Sequence, residues 1–182
     1  MAKALILIPE GFEEMETVAP IDLLRRADVE VTVATTEEEL LIKGRSGISL
    51  QADVHFKDIA DKDFDLVVLP GGPGHTRLLD KDHVLDWLRK QNSAGKWIAS
   101  ICAGPIVLNA AGIIDGRAFT SHHSTSGKLP GRDPDAPVVE SGRLITSQGA
   151  GTATRFALRL VAALCGEDKA KEIADSIAFD LQ

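Results

Sequence analysis

Only two cysteines, Cys102 and Cys165, occur in the 182 residues, too few for a disulfide framework. They stand in dissimilar surroundings, so each thiol has to be judged alone and a reducing compartment is expected. Also missing is any apolar run near the ~18–20 residues that a membrane span requires, which leads us to expect a soluble chain with no membrane partner. Basic clusters are absent as well. The formal net charge is -7 and the Lys and Arg residues form only short pairs such as Arg25-Arg26, which excludes a phosphate-binding face for nucleic acid. Met1-Ala2-Lys3 leads directly into a strand-like run with no secretory pattern, so a cytosolic location is expected. There is no internal repeat and no low-complexity tract.

What is present is globular balance: 44% hydrophobic and 26% charged residues, enough for one substantial core in a single domain spanning 1–182. Strand and helix patterns alternate. Continuous apolar runs predict strands at 4–9, 29–34, 65–70, 96–101 and 143–147. Helical patterns fall at 14–26, with Met15, Val18 and Ala19 on one face, and at 81–94, 103–111, 149–164 and 167–181. Residues 40–50, broken by Gly44 and Gly47, read as short strands with turns, and 117–139 reads as loop after a short strand at 117–119. Unalternating apolar strands interleaved with helices imply a three-layer α/β sandwich around a mainly parallel sheet. Ligands in such folds sit at the carboxyl ends of strands, so the loops that begin at Pro9, Pro70 and Cys102 are the places for chemistry.

The run Ile101-Cys102-Ala103-Gly104-Pro105 places a thiol where a buried strand turns into a helix. Gly104 permits the tight turn and Pro105 suits a first helical turn. A helix N-terminus favours the thiolate, which is both the nucleophile and the oxidisable form, so a lowered Cys102 pKa is expected. Leu69-Pro70-Gly71-Gly72 ends a neighbouring strand, and the amides of Gly72 and Ala103 could form an oxyanion site. It lacks both the dinucleotide-binding glycine spacing and the ending of a phosphate loop. Glu13 and Glu14 read as partners of a helix dipole. Glu16 could point inward. If it neighbours the Cys102 sulfur, the arrangement is tolerable only with Glu16 protonated, so a raised Glu16 pKa and a lowered Cys102 pKa form one linked expectation. His122 or His123 could serve as general acid or base, or stand as ordinary loop histidines. No histidine has metal-ligand spacing with the others or with a cysteine, so no metal is expected. Cys165 reads as packing at a helix end.

Four segments together resemble the ThiJ/PfpI superfamily: 8–18 (Ile-Pro-Glu-Gly-Phe-Glu-Glu-Met-Glu-Thr-Val), 68–72 (Val-Leu-Pro-Gly-Gly), 101–105 (Ile-Cys-Ala-Gly-Pro) and 146–152 (Thr-Ser-Gln-Gly-Ala-Gly-Thr). Within it the chain is most similar to the branch of the parkinsonism-associated deglycase and its bacterial relatives. The resemblance implies a flavodoxin-like sandwich with a strained nucleophile elbow, usually in a homodimer, and no cofactor. It places the reactive cysteine at Cys102, its protonated carboxyl partner at Glu16, backbone donors at Gly72 and Ala103, and the histidine at His122. His123 replaces a proline common at that place. Arg45 resembles an arginine that reaches the partner's pocket across the dimer interface.

For activity the resemblance implies a glutathione-independent glyoxalase of the lyase type, or a deglycase hydrolase. The substrate would be a small reactive carbonyl such as methylglyoxal, or a glycated protein. The alternative is a redox sensor or chaperone in which Cys102 oxidises to sulfinate. The protease-like branch carries His directly after the nucleophile, where this chain has Ala103. A glutaminase would require a late His-x-Glu pair, which is absent.

Overall fold

The computed structural model describes residues 1–180. The chain runs through β1 (Lys3–Leu7), α1 (Glu14–Arg26), β2 (Glu30–Thr35), β3 (Leu41–Lys43), β4 (Ser49–Gln51), β5 (Val54–His55), β6 (Leu66–Leu69), α2 (His75–Leu79) and α3 (Asp82–Ser93). It continues through β7 (Trp97–Ile101), α4 (Pro105–Ala110), β8 (Val138–Ser141), β9 (Leu144–Ser147), α5 (Ala153–Cys165) and α6 (Glu167–Ser176). Seven strands form one sheet in the order β5-β2-β1-β6-β7-β9-β8, while β3 and β4 form a separate antiparallel hairpin. Every pairing in the large sheet is parallel except that of the edge strand β8 with β9.

The central strands supply both cores. Ala4, Ile6, Leu66, Val68, Ala99, Ile101 and Ile145 face the helices α1, α5 and α6, packing with Leu23, Leu24, Phe156, Leu160 and Ile173. Their alternates Leu5, Leu7, Val67, Leu69, Ile98 and Leu144 face α3 and α4, against Val84, Leu88, Val107 and Leu108. A strand buried on both faces has no polar side to present, which is why the sequence shows runs here and not alternation. The expected sandwich is therefore found, and no helix among the described residues is long and apolar enough to cross a membrane.

Several local expectations are corrected. On α1 the buried face carries Glu16, Thr17, Pro20, Leu23 and Leu24, whereas Met15 and Val18 are 60% and 43% exposed; of the three apolar residues read as sharing one face, only Ala19 packs on the core. Residues 117–119 form no strand. The Thr120 amide is taken by Thr146 Oγ1 at 2.9 Å and Thr120 Oγ1 donates to the Asp133 carbonyl, so side-chain bonds and one bridge replace a ladder. Helix α5 begins at Ala153 and not at Gly149, because a 3-10 turn over Ala150–Thr152 is closed by the Gly149 amide donating to Thr152 Oγ1 at 3.1 Å. Helix α6 ends at Ser176, short of the expected end, and Leu181 lies outside the described residues. The sequence pattern did not reveal β8, half-exposed at the sheet edge, or the single-turn α2.

Phe156, fully buried beneath the sheet, measures the tightness of this packing. Phe156→Ala is expected to lower the unfolding free energy by about 3–5 kcal/mol in chemical denaturation.

Candidate active site

The loops after β1, β6 and β7 converge with that after β9 at one end of the sheet. Strand β7 ends at Ile101, and the next residue, Cys102, has φ of +64°, a left-handed conformation that non-glycine residues adopt at a cost of about 1–3 kcal/mol. Three bonds hold it there. The Cys102 amide donates to the Ser147 carbonyl at 2.9 Å, the Cys102 carbonyl accepts from the His122 amide at 3.0 Å, and the Gly104 amide donates to the Ile101 carbonyl at 2.9 Å. Gly104 cannot be larger: a β-carbon on it would strike Ser100 Oγ and come within 2.8 Å of the Leu69 carbonyl. Pro105 then opens α4.

Glu16 reaches this thiol from α1. Glu13 caps the helix by accepting from the Glu16 amide at 2.8 Å, which turns the Glu16 side chain inward, where it is 1% exposed. One carboxyl oxygen, Oε2, accepts from the Gly71 amide at 2.9 Å, and the carboxyl hydrogen-bonds the Cys102 thiol. A β-carbon on Gly71 would lie 2.6 Å from Cys102 Cβ, 2.6 Å from Glu16 Oε2 and 2.9 Å from the Ala103 nitrogen. Gly71 thus sits inside the site. It was not among the expected site residues, although the Gly-Gly pair was its signal: one glycine supplies a donor to the thiol, the other the space beside it.

The backbone amides of Gly72 and Ala103 favour the charged form of Cys102 and pull its pKa down. Burial first, then repulsion by the Glu16 carboxylate, push the thiol up to about 12, against the downward pull of these two amides. The lowered pKa expected from a helix N-terminus is therefore corrected: α4 has only six residues, and desolvation outweighs the backbone donors. Glu16 moves as expected. Burial is the main cause that lifts it from 4.5 to about 7. The two groups form one titrating system. An ionised Glu16 repels a thiolate, whereas a protonated Glu16 donates to it, so the thiolate becomes accessible when the carboxyl holds the proton.

His122 is half-buried and His123 exposed, with ring centroids 4.0 Å apart. His122 borders the site at Gly149, where a β-carbon would come within 3.3 Å of His122 Cδ2 and 3.8 Å of Glu16 Oε1. Its Nδ1 accepts from the Ser124 amide at 3.3 Å, which leaves the ring proton of the neutral form on Nε2. Burial, followed by the charges of His123, Arg132 and Arg45, holds His122 below the usual histidine range. Beyond His122 an open cleft of about 480 Å³ runs past Arg132, Gln148 and the backbone of 149–151. Arg45 is exposed, and its charge acts on Glu16 and His122 of its own chain.

Glu13 and Glu14 are more than dipole partners. Glu13 is the α1 cap. Glu14, 6% exposed, accepts from the Ser46 amide at 2.6 Å and so fastens the β3–β4 hairpin to α1. Burial alone would raise it, but the backbone donors Ser46 and Ile48 contribute to a net lowering. Cys165 is exposed at the end of α5, its thiol 3.8 Å from the Ala27 carbonyl and remote from this cluster. No group of three potential metal ligands occurs among the described residues.

Comparison with known proteins gives a consistent result. The pattern of the DJ-1/PfpI family matches residues 2–163. Protein dj-1beta of Drosophila melanogaster is 38% identical over 178 residues, covering 96% of this chain and 95% of that protein. The glutathione-independent glyoxalase DJR-1.2 of Caenorhabditis elegans is 38% identical over 174 residues, covering 93% and 92%. Among solved structures, oxidized Toxoplasma gondii DJ-1 superposes with a TM-score of 0.94 at 31% identity, covering 98% of this chain and 99% of that one.

Two outcomes test the site. Gly71→Ala should keep the fold but slow iodoacetamide alkylation of Cys102 by about tenfold or more, since the added carbon displaces thiol and carboxyl together; an unchanged rate contradicts this placement. The second concerns pH. Glu16 has a folded pKa of about 7, above its ordinary 4.5, so its contribution to stability is complete below about 4.5 and is lost as pH rises through about 7. Denaturation across that window should show a loss of roughly 3 kcal/mol attributable to Glu16, and Glu16→Gln should flatten it.

Proposed function

This chain belongs to the DJ-1/PfpI family, and from that premise we propose that it is a cysteine-dependent, glutathione-independent glyoxalase acting on methylglyoxal or its early adducts. The observation that carries the reading is the Glu16 carboxyl placed against the Cys102 thiol, with the Gly72 and Ala103 amides beside the same sulfur. That arrangement couples nucleophile, proton carrier and oxyanion donors. A relative named as a glutathione-independent glyoxalase supports the reaction class.

In the proposed reaction the Glu16 carboxylate takes the thiol proton, and the Cys102 thiolate adds to the aldehyde carbon. A C–S bond forms, and the carbonyl π pair moves onto oxygen, which rests on the Gly72 and Ala103 amides and then takes the proton from Glu16, giving the hemithioacetal and freeing the carboxylate. The hydrogen on the former aldehyde carbon leaves as a proton to Glu16, and the neighbouring ketone oxygen is protonated by His122 Nε2. The resulting enediol collapses to a 2-hydroxy thioester as Glu16 returns its proton to the former ketone carbon and the hydroxyl on the sulfur-bearing carbon gives its proton to His122 Nε2, so one carbon is oxidised and its neighbour reduced without an external oxidant. Water cleaves the C–S bond to release lactate and the thiol. Deglycation is the same sequence started from an aldehyde adduct on an amine or thiol, and the open cleft beyond His122 leaves room for the larger substrate.

Two features of the family-based reading join this proposal. Met15, Val18, Leu41 and Ile48 are large exposed apolar residues on α1 and the adjoining hairpin region, which supports a homodimer through that face, with Arg45 at its margin. The two unpaired cysteines suit a cytosolic setting. A second reading, peroxide sensing, is favoured by the same pocket: two backbone donors and a protonated Glu16 would hold a Cys102 sulfinate formed with two equivalents of peroxide, and a relative of matching fold is described as oxidized.

Glutathione-free consumption of methylglyoxal with formation of lactate tests the enzyme. Cys102→Ala should fall to the uncatalysed background, Glu16→Gln should lose about 100-fold or more, and Cys165→Ser should stay at the parent rate. Equal rates for the parent and Cys102→Ala would overturn the proposal.

A further inference from the structure

The Gly72 amide is one of the two backbone N–H groups that favour the Cys102 thiolate among the described residues, and it belongs to a glycine at positive φ. It has φ of +89°, and it has no side chain to pack, because a β-carbon would lie 2.5 Å from the Gly11 carbonyl and 2.7 Å from the Glu13 nitrogen. The peptide before it is anchored: the Gly71 carbonyl, in the same plane as the Gly72 N–H, accepts from the Glu13 amide at 3.1 Å. The peptide after it has half the usual means of anchoring, since residue 73 is proline and contributes no N–H. Its sole polar handle is the Gly72 carbonyl.

His75 takes that handle. Its Nδ1 lies 2.9 Å from the Gly72 carbonyl, and its amide adds a longer bond to the same oxygen at 3.3 Å. A carbonyl can only accept, so Nδ1 carries the ring proton. The other ring nitrogen, Nε2, is buried and has no partner among the described residues, so the ring's hydrogen bonding is directed wholly at Gly72. Among the described residues the imidazole bridges to no further group.

We propose that His75 is a positioning residue, whose Nδ1–H clamps the Gly72–Pro73 peptide and thereby keeps the Gly72 amide aimed at the Cys102 sulfur. Two anchored peptides, one on each side of Gly72, leave its φ and ψ little freedom. Without the ring, the Gly72 carbonyl keeps only the 3.3 Å bond from the His75 amide. Glycine at positive φ then has the widest conformational range of any residue, and the donor is shared among orientations. The clamp bears on the proposed reaction through the oxyanion donor, and in that respect rests on the glyoxalase reading.

The test reads the thiol and not turnover, in a Cys165→Ser background where Cys102 is the sole thiol. Thiolate absorbance against pH and iodoacetamide alkylation near neutral pH are compared for the parent, His75→Ala and His75→Asn, with thermal melts to verify folding. His75→Ala should move the thiolate midpoint up by about one unit and slow alkylation about tenfold, because a donor to the charged form is weakened. His75→Asn, whose amide N–H replaces Nδ1–H, should stay within about twofold of the parent. An unchanged midpoint and rate in His75→Ala overturns the proposal. So does an equal loss in a folded His75→Asn, which would mean that the bulk of the ring matters and not its bond. Should the alanine chain fail to fold, His75→Leu against His75→Asn makes the same comparison with the volume kept. None of these readouts needs methylglyoxal, so an intact clamp without turnover counts against the glyoxalase reading alone.

Discussion

The hydrogen bond from the Gly71 amide to the Glu16 carboxyl joins the first helix to the end of the central strand β6, and the geometry of the site follows from it. To make that bond, a carboxyl group must be taken almost wholly out of water, at a position where an apolar residue would otherwise cover the sheet. The cap at Glu13 directs it inward, and glycine at 71 leaves the space for it. A buried carboxyl with so few donors holds its proton to an unusually high pH, and it interacts directly with the Cys102 thiol. The unusual backbone around the site, glycines at 71, 72 and 104 and a cysteine at positive φ, can be understood as what brings thiol and carboxyl together without displacing either.

The thiol itself is not activated in the simple sense. Its burial and the ionised carboxylate both raise its pKa, and two amides do not compensate. Reactivity instead depends on where a single proton resides. With the proton on sulfur the site is inert, and with the proton on Glu16 the thiolate gains a donor in place of a repelling charge. The same exchange suits addition to an aldehyde, in which the carboxyl removes and returns protons while the sulfur changes from thiol to thiolate to thioether. Peroxide oxidation would draw on the same state. One pocket therefore supports both readings, and substrate turnover distinguishes them where thiol chemistry cannot.

Much of the fold was legible in the chain. The apolar runs at 4–9, 65–70 and 96–101 became the three central strands, because a parallel sheet covered on both faces leaves no polar alternation to obscure them. The edge was not legible: β8 is half-exposed and its pattern carries no clear period. The inner face of α1 is illegible for a different reason. The ordinary rule buries the apolar face of a helix, but this one turns Glu16 and Thr17 toward the core and leaves Met15 and Val18 at the surface. A functional site and an apolar surface both reverse the ordinary burial rule, and α1 has one of each.

By itself the sequence determined the sheet, the strand-to-helix turn that carries Cys102, and the family motifs around it, since each depends on neighbours along the chain: an apolar run, a glycine, a proline. Glu16, Gly71, His122 and His75 are different. They come from separate helices and loops, and their placement depends on distances across the end of the sheet, such as 2.9 Å from Gly71 to Glu16 and 2.9 Å from His75 to the Gly72 carbonyl. Only the tertiary structure decided that the Glu16 carboxyl meets the thiol, that burial raises the thiol pKa, and that a histidine outside every motif bonds the Gly72 carbonyl. Desolvation and hydrogen bonding act through space, and no local pattern records them.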